Sequence, residues 1–90
     1  MKVFIVVEDY RNEYCGDSTE NVSLIGVYTD REKALKVVTE KHDSVLGEMK
    51  KVYDDDRIHS DIGDYGSECY LEGEYDTYHC DYVIFESEVV

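Results

Sequence analysis

Two stretches of this chain are apolar on both faces of an extended backbone, and that restricts where they can sit. Side chains along a strand alternate between faces. In residues 3–7, Val3, Ile5 and Val7 therefore line one face while Phe4 and Val6 line the other. Near the other end, Tyr82, Val83, Ile84 and Phe85 repeat the pattern inside a run over residues 80–88. A strand with one wet face alternates polar with apolar residues, so two-sided apolar runs read as central strands covered above and below. The two runs are expected to be neighbours in the middle of one sheet.

The remaining elements arrange themselves around that pair. Residues 9–21 are polar and contain Gly16, Asp17 and Asn21, the composition of a long hairpin loop. Residues 22–28 resume a strand pattern, with Gly26 a candidate bulge. Thr29 and Asp30 supply an N-cap, and Thr29 with Glu32 fits a capping box. From there Leu35, Val38, His42, Val45, Met49 and Val52 recur at spacings of three and four, one stripe on a helix over about residues 30–53. Gly47, with Asp43 and Ser44 as a second cap, marks 43–47 as the alternative place for a break. Residues 54–67 read as a connecting loop. Residues 68–75 alternate cleanly, with Cys69, Leu71, Gly73 and Tyr75 on one face and Glu68, Tyr70, Glu72 and Glu74 on the other, an edge strand with one wet face. Residues 76–79 turn the chain into the last strand.

The predicted fold is a single α+β domain over residues 1–90: a four-stranded mixed sheet, ββαββ in order 2-1-4-3, with one long helix packed on one face. Ninety residues suffice for one core and leave no room for a second domain. One helix covers one face, so Phe4 and Val6 on the far face call for another cover, from a homodimer or a partner protein.

The opening apolar run stops after five residues at Glu8 and Asp9, too short for a signal-peptide core. No stretch approaches the roughly 20 apolar residues that cross a bilayer, and an acidic surface is repelled by anionic headgroups. Cys15, Cys69 and Cys80 are odd in number and lack the dense spacing of a disulfide scaffold, so they read as reduced thiols. These features predict a cytoplasmic protein without membrane association.

Charge is the most informative quantity, through its distribution. Residues 1–53 hold ten acids against eight bases; residues 54–90 hold twelve acids against Arg57, and together they give the net charge of −13. Solubility needs no such segregation. Five of the nine tyrosines, at 65, 70, 75, 78 and 82, fall in the acidic stretch. On one strand face, Glu68, Glu72 and Glu74 repeat about every 6.6 Å with Tyr70 among them, a row that imitates a run of phosphates. A field of this sign steers toward basic proteins and repels nucleic acid, and tyrosines supply low-entropy contact area. The same row also fits an ordinary solvated face.

Other chemistries find less support. Taking Asp54 as the first ligand, an EF-hand loop would need oxygen and glycine where Ile58 and His59 stand. A weak metal-responsive switch over residues 54–64, testable by titration with calcium, magnesium and zinc, is the third reading. No CxxC or HxxxH pair exists for zinc, and His79 and Cys80 would point to opposite faces if both were in a strand. There is no Gly-rich phosphate loop, no GxSxG and no cysteine beside a base. The expectation is no enzyme, no metal and no cofactor.

The segments MKVFIVVEDY, VSLIGVYTDREKALKVV and DYVIFESEVV resemble a loose class of small bacterial and phage proteins that open on a KVYVV-type strand. Those proteins carry a GVY[ST]xxEKA strand-to-helix junction, here Gly26-Val27-Tyr28-Thr29-Asp30-Arg31-Glu32-Lys33-Ala34. The likeness covers about half the chain and implies fold alone. In composition the chain is also similar to phage anti-defence inhibitors, the anti-CRISPR proteins and DNA mimics. That likeness implies a non-enzymatic inhibitor which occupies a basic, nucleic-acid-binding host protein without binding nucleic acid itself. The contact residues would be Glu68, Tyr70, Glu72, Glu74, Asp76, Tyr78 and Asp81, rimmed by Asp54, Asp55, Asp56, Asp61 and Asp64. The alternative is a small dimeric cytoplasmic interaction or regulatory domain whose acidity is incidental.

Overall fold

The computed structural model describes residues 1–14, 17–71 and 76–89, and of Tyr14, Asp17, Ser18, Asp76 and Thr77 the backbone alone. Strands β1 (Lys2–Tyr14) and β2 (Asp17–Tyr28) lead into helix α1 (Arg31–Val52). A short 3-10 turn at Asp55–Arg57 follows, then strands β3 (Ile58–Gly63), β4 (Gly66–Leu71) and β5 (Asp76–Glu88). All four strand pairings are antiparallel, and the sheet order is β2-β1-β5-β4-β3.

This corrects the expected mixed four-stranded sheet of order 2-1-4-3: the sheet has five strands, the topology is ββαβββ, and no described pair is parallel. The additional strand is β3, inside the stretch predicted to be a loop. Ile58, Ser60 and Ile62 alternate with His59 and Asp61, but acids and glycines on either side hide so short a pattern. A hairpin through Asp64 and Tyr65 joins β3 to β4. Its exit demands glycine: Gly66 has φ +151°, and a Cβ there would stand 2.1 Å from the Tyr82 carbonyl oxygen.

The polar stretches expected as loop and turn, 9–21 and 76–79, are strand throughout their described residues. β1 and β5 pair over their whole length, from Lys2 opposite Glu88 to Tyr14 opposite Asp76. Thirteen residues extend about 43 Å, which accounts for the longest dimension of 46 Å. Ladder hydrogen bonds come from the backbone, so a ribbon paired on both sides stays extended without an apolar code.

Helix α1 is unbroken through residues 43–47. The cap is Asp30, whose Oδ1 accepts from the Glu32 amide at 2.9 Å, while Lys50 and Lys51 in the last turn suit the negative end of the helix dipole. Ala34, Val38, His42 and Met49 are buried, but Val52, expected on the same stripe, is 72% exposed. Against the helix lie Val6, Cys80, Tyr82 and Ile84, with a second cluster of Cys69 and Leu71 around Met49. Phe4 and Val6 thus sit under the helix, and Val3, Ile5 and Val7 take the open face, the reverse of the expected assignment. Both sets are apolar, so hydrophobicity gave no preference between faces. Among the described residues no helix is long and apolar enough to cross a membrane.

Candidate functional site

The open face derives its pattern from strand register. Asp61 pairs with Glu68, Glu68 with Asp81, and Asp81 with Asp9, so four carboxylates stand side by side across β3, β4, β5 and β1. One step along the strands lies a parallel row of His59, Tyr70, His79 and Arg11. Neighbours within a row are about 4.5–5.5 Å apart at Cα. Like charges directly opposite are destabilising by about 0.2–1 kcal/mol per pair, so the acidic row is not there for the stability of the fold.

The second row holds the first in place. The His59 ring stacks on Tyr70 at 4.9 Å with 13° between planes, and Tyr70 leans on His79 at 5.5 Å. Nε2 of His79 lies 2.8 Å from Oδ1 of Asp81 and 3.6 Å from Oε1 of Glu68. Burial pushes the Asp81 carboxyl up, Glu68 and Asp9 push it further, and the His79 ring partly offsets them. His79 Nε2 and Asp81 Oδ1 are closed to solvent and meet outside hydrogen-bond geometry. The ligating atoms of Glu68, His79 and Asp81 all fall within 4.8 Å of one another, the group among the described residues suited to a metal ion. Beside them runs an open groove of about 410 Å³, lined in part by Asp61, Asp64, Tyr65, Glu68 and Asp81.

The other half of the open face is apolar. Val22, Leu24, Val27 and Phe85 are 53–68% exposed, with Ile5 and Val7 half-buried between them.

Of the predicted contact residues, Asp61, Glu68 and Asp81 share the carboxylate row and Tyr70 stands in the row beside it. Asp64 is exposed in the β3–β4 turn, where its carbonyl accepts from the Arg31 guanidinium at 2.7 Å, and Arg31 lies over Tyr65 at 4.5 Å. Asp54, Asp55 and Asp56 are exposed around the 3-10 turn, ahead of the sheet and outside the row. Tyr78 is turned away from this surface: it lies on the helix-covered face, edge-on to Tyr10 at 5.4 Å, its phenol pushed up to about 12 chiefly by burial. The contacts proposed for Glu72 and Glu74 lie outside the described residues, as do Tyr75 and Cys15, and the backbone alone is described for Asp76.

Asp9, Arg11, His59 and His79 belong to this face and were missed by the sequence reading. A signal existed in the alternation of His79 and Asp81 with Cys80 and Tyr82, wet against dry, which extends the last strand back through the supposed turn. Cys69 and Cys80 face each other beneath the helix, and burial raises both thiols, Cys80 to about 11, which disfavours the nucleophilic thiolate. The buried Tyr82 hydroxyl donates to Glu8 Oε2 at 2.7 Å, and burial with that bond holds the phenol strongly up. Compared with known protein families, curated proteins and solved structures, the chain finds no match.

Proposed function

We propose that this chain is a non-enzymatic binding protein that docks the acidic half of its open sheet face onto a basic, nucleic-acid-binding surface of another protein. In its most specific form it is a phage or mobile-element inhibitor of a host defence protein, acting in the host cytoplasm. The carboxylate row of Asp61, Glu68, Asp81 and Asp9 carries this reading. Closely spaced negative charges on a rigid backbone are what a nucleic-acid-binding groove recognises without reading sequence. The lysines do not spoil the row. Those of the helix belong to the opposite side of the sheet, and Lys51 and Lys2 pair with Glu48 and Glu86 instead. Tyr70 and the open groove add contact area next to the charge.

The test is capture from bacterial lysate at low salt. A nucleic-acid-binding protein should be enriched and released steeply as salt rises, because exposed charges are screened beyond about 10 Å at 0.1 M. Neutralising the row with Asp9→Asn, Asp61→Asn and Glu68→Gln should abolish the capture. If nothing of that class is enriched, or the neutralised protein captures it equally well, the reading fails.

The apolar half of the face favours a second reading, a dimeric interaction domain joined through Val22, Leu24, Val27 and Phe85. It predicts a concentration-dependent dimer by sedimentation that neutralising the carboxylates leaves intact.

A further inference from the structure

We infer that Glu68, His79 and Asp81 form a binding site for a late first-row divalent cation, of which Zn²⁺ is the natural probe. This inference stands apart from the partner proposed above and survives if that partner does not exist.

The fold builds the site on adjoining strands. Glu68 and Asp81 are direct cross-strand partners on β4 and β5, and His79 is two residues from Asp81 on the same face. The nitrogen-to-oxygen separations from His79 are 2.8 and 3.6 Å, and all three donor atoms lie within 4.8 Å. Zinc sits about 2.0–2.2 Å from nitrogen and oxygen ligands, so tetrahedral partners stand about 3.3 Å from one another. The observed separations bracket that value, and Glu68, half exposed at 51%, has freedom to close the third side.

Two further observations point to a ligand. His79 Nε2 and Asp81 Oδ1 are sealed from solvent and face each other at 2.8 Å without hydrogen-bond alignment, whereas buried polar atoms are nearly always satisfied. A cation bound by both lone pairs satisfies the two atoms at once and turns the repulsion between Glu68 and Asp81 into shared attraction. The site also opens where a cation can enter, because Glu68 and Asp81 border the groove of about 410 Å³. Around the ligands, Tyr70 packs on the His79 ring, and Asp9 and Asp61 stand beside the carboxylates in register and add negative charge that favours a cation. One imidazole nitrogen with two carboxylate oxygens suits zinc, cobalt or nickel. Magnesium and calcium demand six or more oxygens.

Calorimetric titration of the full chain with ZnCl₂ should show one equivalent bound, and MgCl₂ under the same conditions should give no saturable heat. His79→Gln and Asp81→Asn should each weaken zinc by at least the roughly 10–100-fold that loss of an outer-shell partner costs, while Glu40→Gln, exposed on the helix across the sheet, leaves it unchanged. Should either ligand variant lose its fold, the unsubstituted protein still decides. In ¹⁵N-resolved spectra of the imidazoles, zinc should shift the ring nitrogens of His79 and leave those of the buried His42 in place. Absence of saturable zinc binding, binding that both substitutions leave intact, or an unmoved His79 would overturn the assignment.

Discussion

The two faces of the sheet are made from alternate residues of the same strands, yet they obey opposite rules. Beneath the helix, Val6, Cys69, Leu71, Cys80, Tyr82 and Ile84 close against Ala34, Val38 and Met49, and the Glu8 carboxylate is met by the Tyr82 hydroxyl. On the open side, carboxylates stand opposite carboxylates and four large apolar residues are more than half exposed. Stability is concentrated on the covered face. The open face carries arrangements that cost stability, which is the usual mark of a surface shaped for binding.

The sharpest test of that contrast is truncation. Leu71 is 2% exposed, and Leu71→Ala should cost about 3–4 kcal/mol, the lost transfer energy plus a cavity that neighbouring strands cannot collapse. Urea unfolding measures the loss, which is a large share of the total stability of a domain this size. A cost below about 1 kcal/mol would mean that the helix is not seated on the sheet as described.

The next effect uses pH to attack the covered face alone. Tyr78 is neutral in the fold up to about 12, against an ordinary value of 10. Below pH 10 the phenol is protonated in both states and its contribution is fully present. Between 10 and 12 the unfolded chain ionises first, holds fewer protons than the fold, and stability falls as pH rises. Two units correspond to about 2–3 kcal/mol. Cys80, held at about 11 against 9, starts the decline one unit earlier, and Tyr82, held higher still, adds to it above pH 10, though the three are coupled and their losses do not add in full. Chemical unfolding at stepped alkaline pH, with tyrosinate absorbance followed in parallel, should show both the decline and the delayed ionisation.

How much of this was legible depended on whether side chains or backbone carried the information. The helix was readable because Val38, His42 and Met49 repeat at helical spacing, and β1 and β5 as central neighbours because two-sided apolar runs have few homes. The edge strand β3 was not, since Ile58 and Ile62 are two apolar residues in an acidic setting, and the polar ends of β1, β2 and β5 are held by ladder bonds that any residue can make. The site depended most on register. Asp9 and Asp81 lie at opposite ends of the chain, and nothing short of their pairing places them together. Glu68 and Asp81 were both named as contacts, but the histidine between them was hidden in a supposed turn.

The open face should respond in the opposite sense. Asp81→Asn removes one of the opposed charges and, less the attraction lost to His79 at 2.8 Å, should stabilise the metal-free protein by no more than about 1 kcal/mol at neutral pH. In the unsubstituted chain the burial of Asp81, with the repulsion from Glu68 and Asp9 added to it, gives a pH signature. Because the Asp81 carboxyl is raised in the fold, the folded state holds the extra proton, so this group's contribution to stability increases as pH falls from neutral through its raised range. Asp81→Asn should flatten that slope. Urea midpoints from pH 7 to 4 for the two proteins measure it, and parallel slopes would show that the fold does not hold the Asp81 carboxyl up.

Leu24 should give the smallest change in stability and still separate the two halves of the open face. It pairs with Val7 at the edge of the sheet and is 66% exposed, so little transfer energy is lost when it is replaced. Leu24→Ser should alter unfolding stability by no more than about 0.5 kcal/mol. Its effect on association is a separate quantity, because an apolar side chain on an open sheet face contributes most when a second surface covers it. If the apolar half joins two copies, sedimentation velocity should show the substituted chain shifted toward monomer at concentrations where the original is dimeric, with the urea midpoint of the dissociated protein unchanged. If both chains sediment as monomers, the apolar half does not self-associate, and the dimeric reading of this face fails.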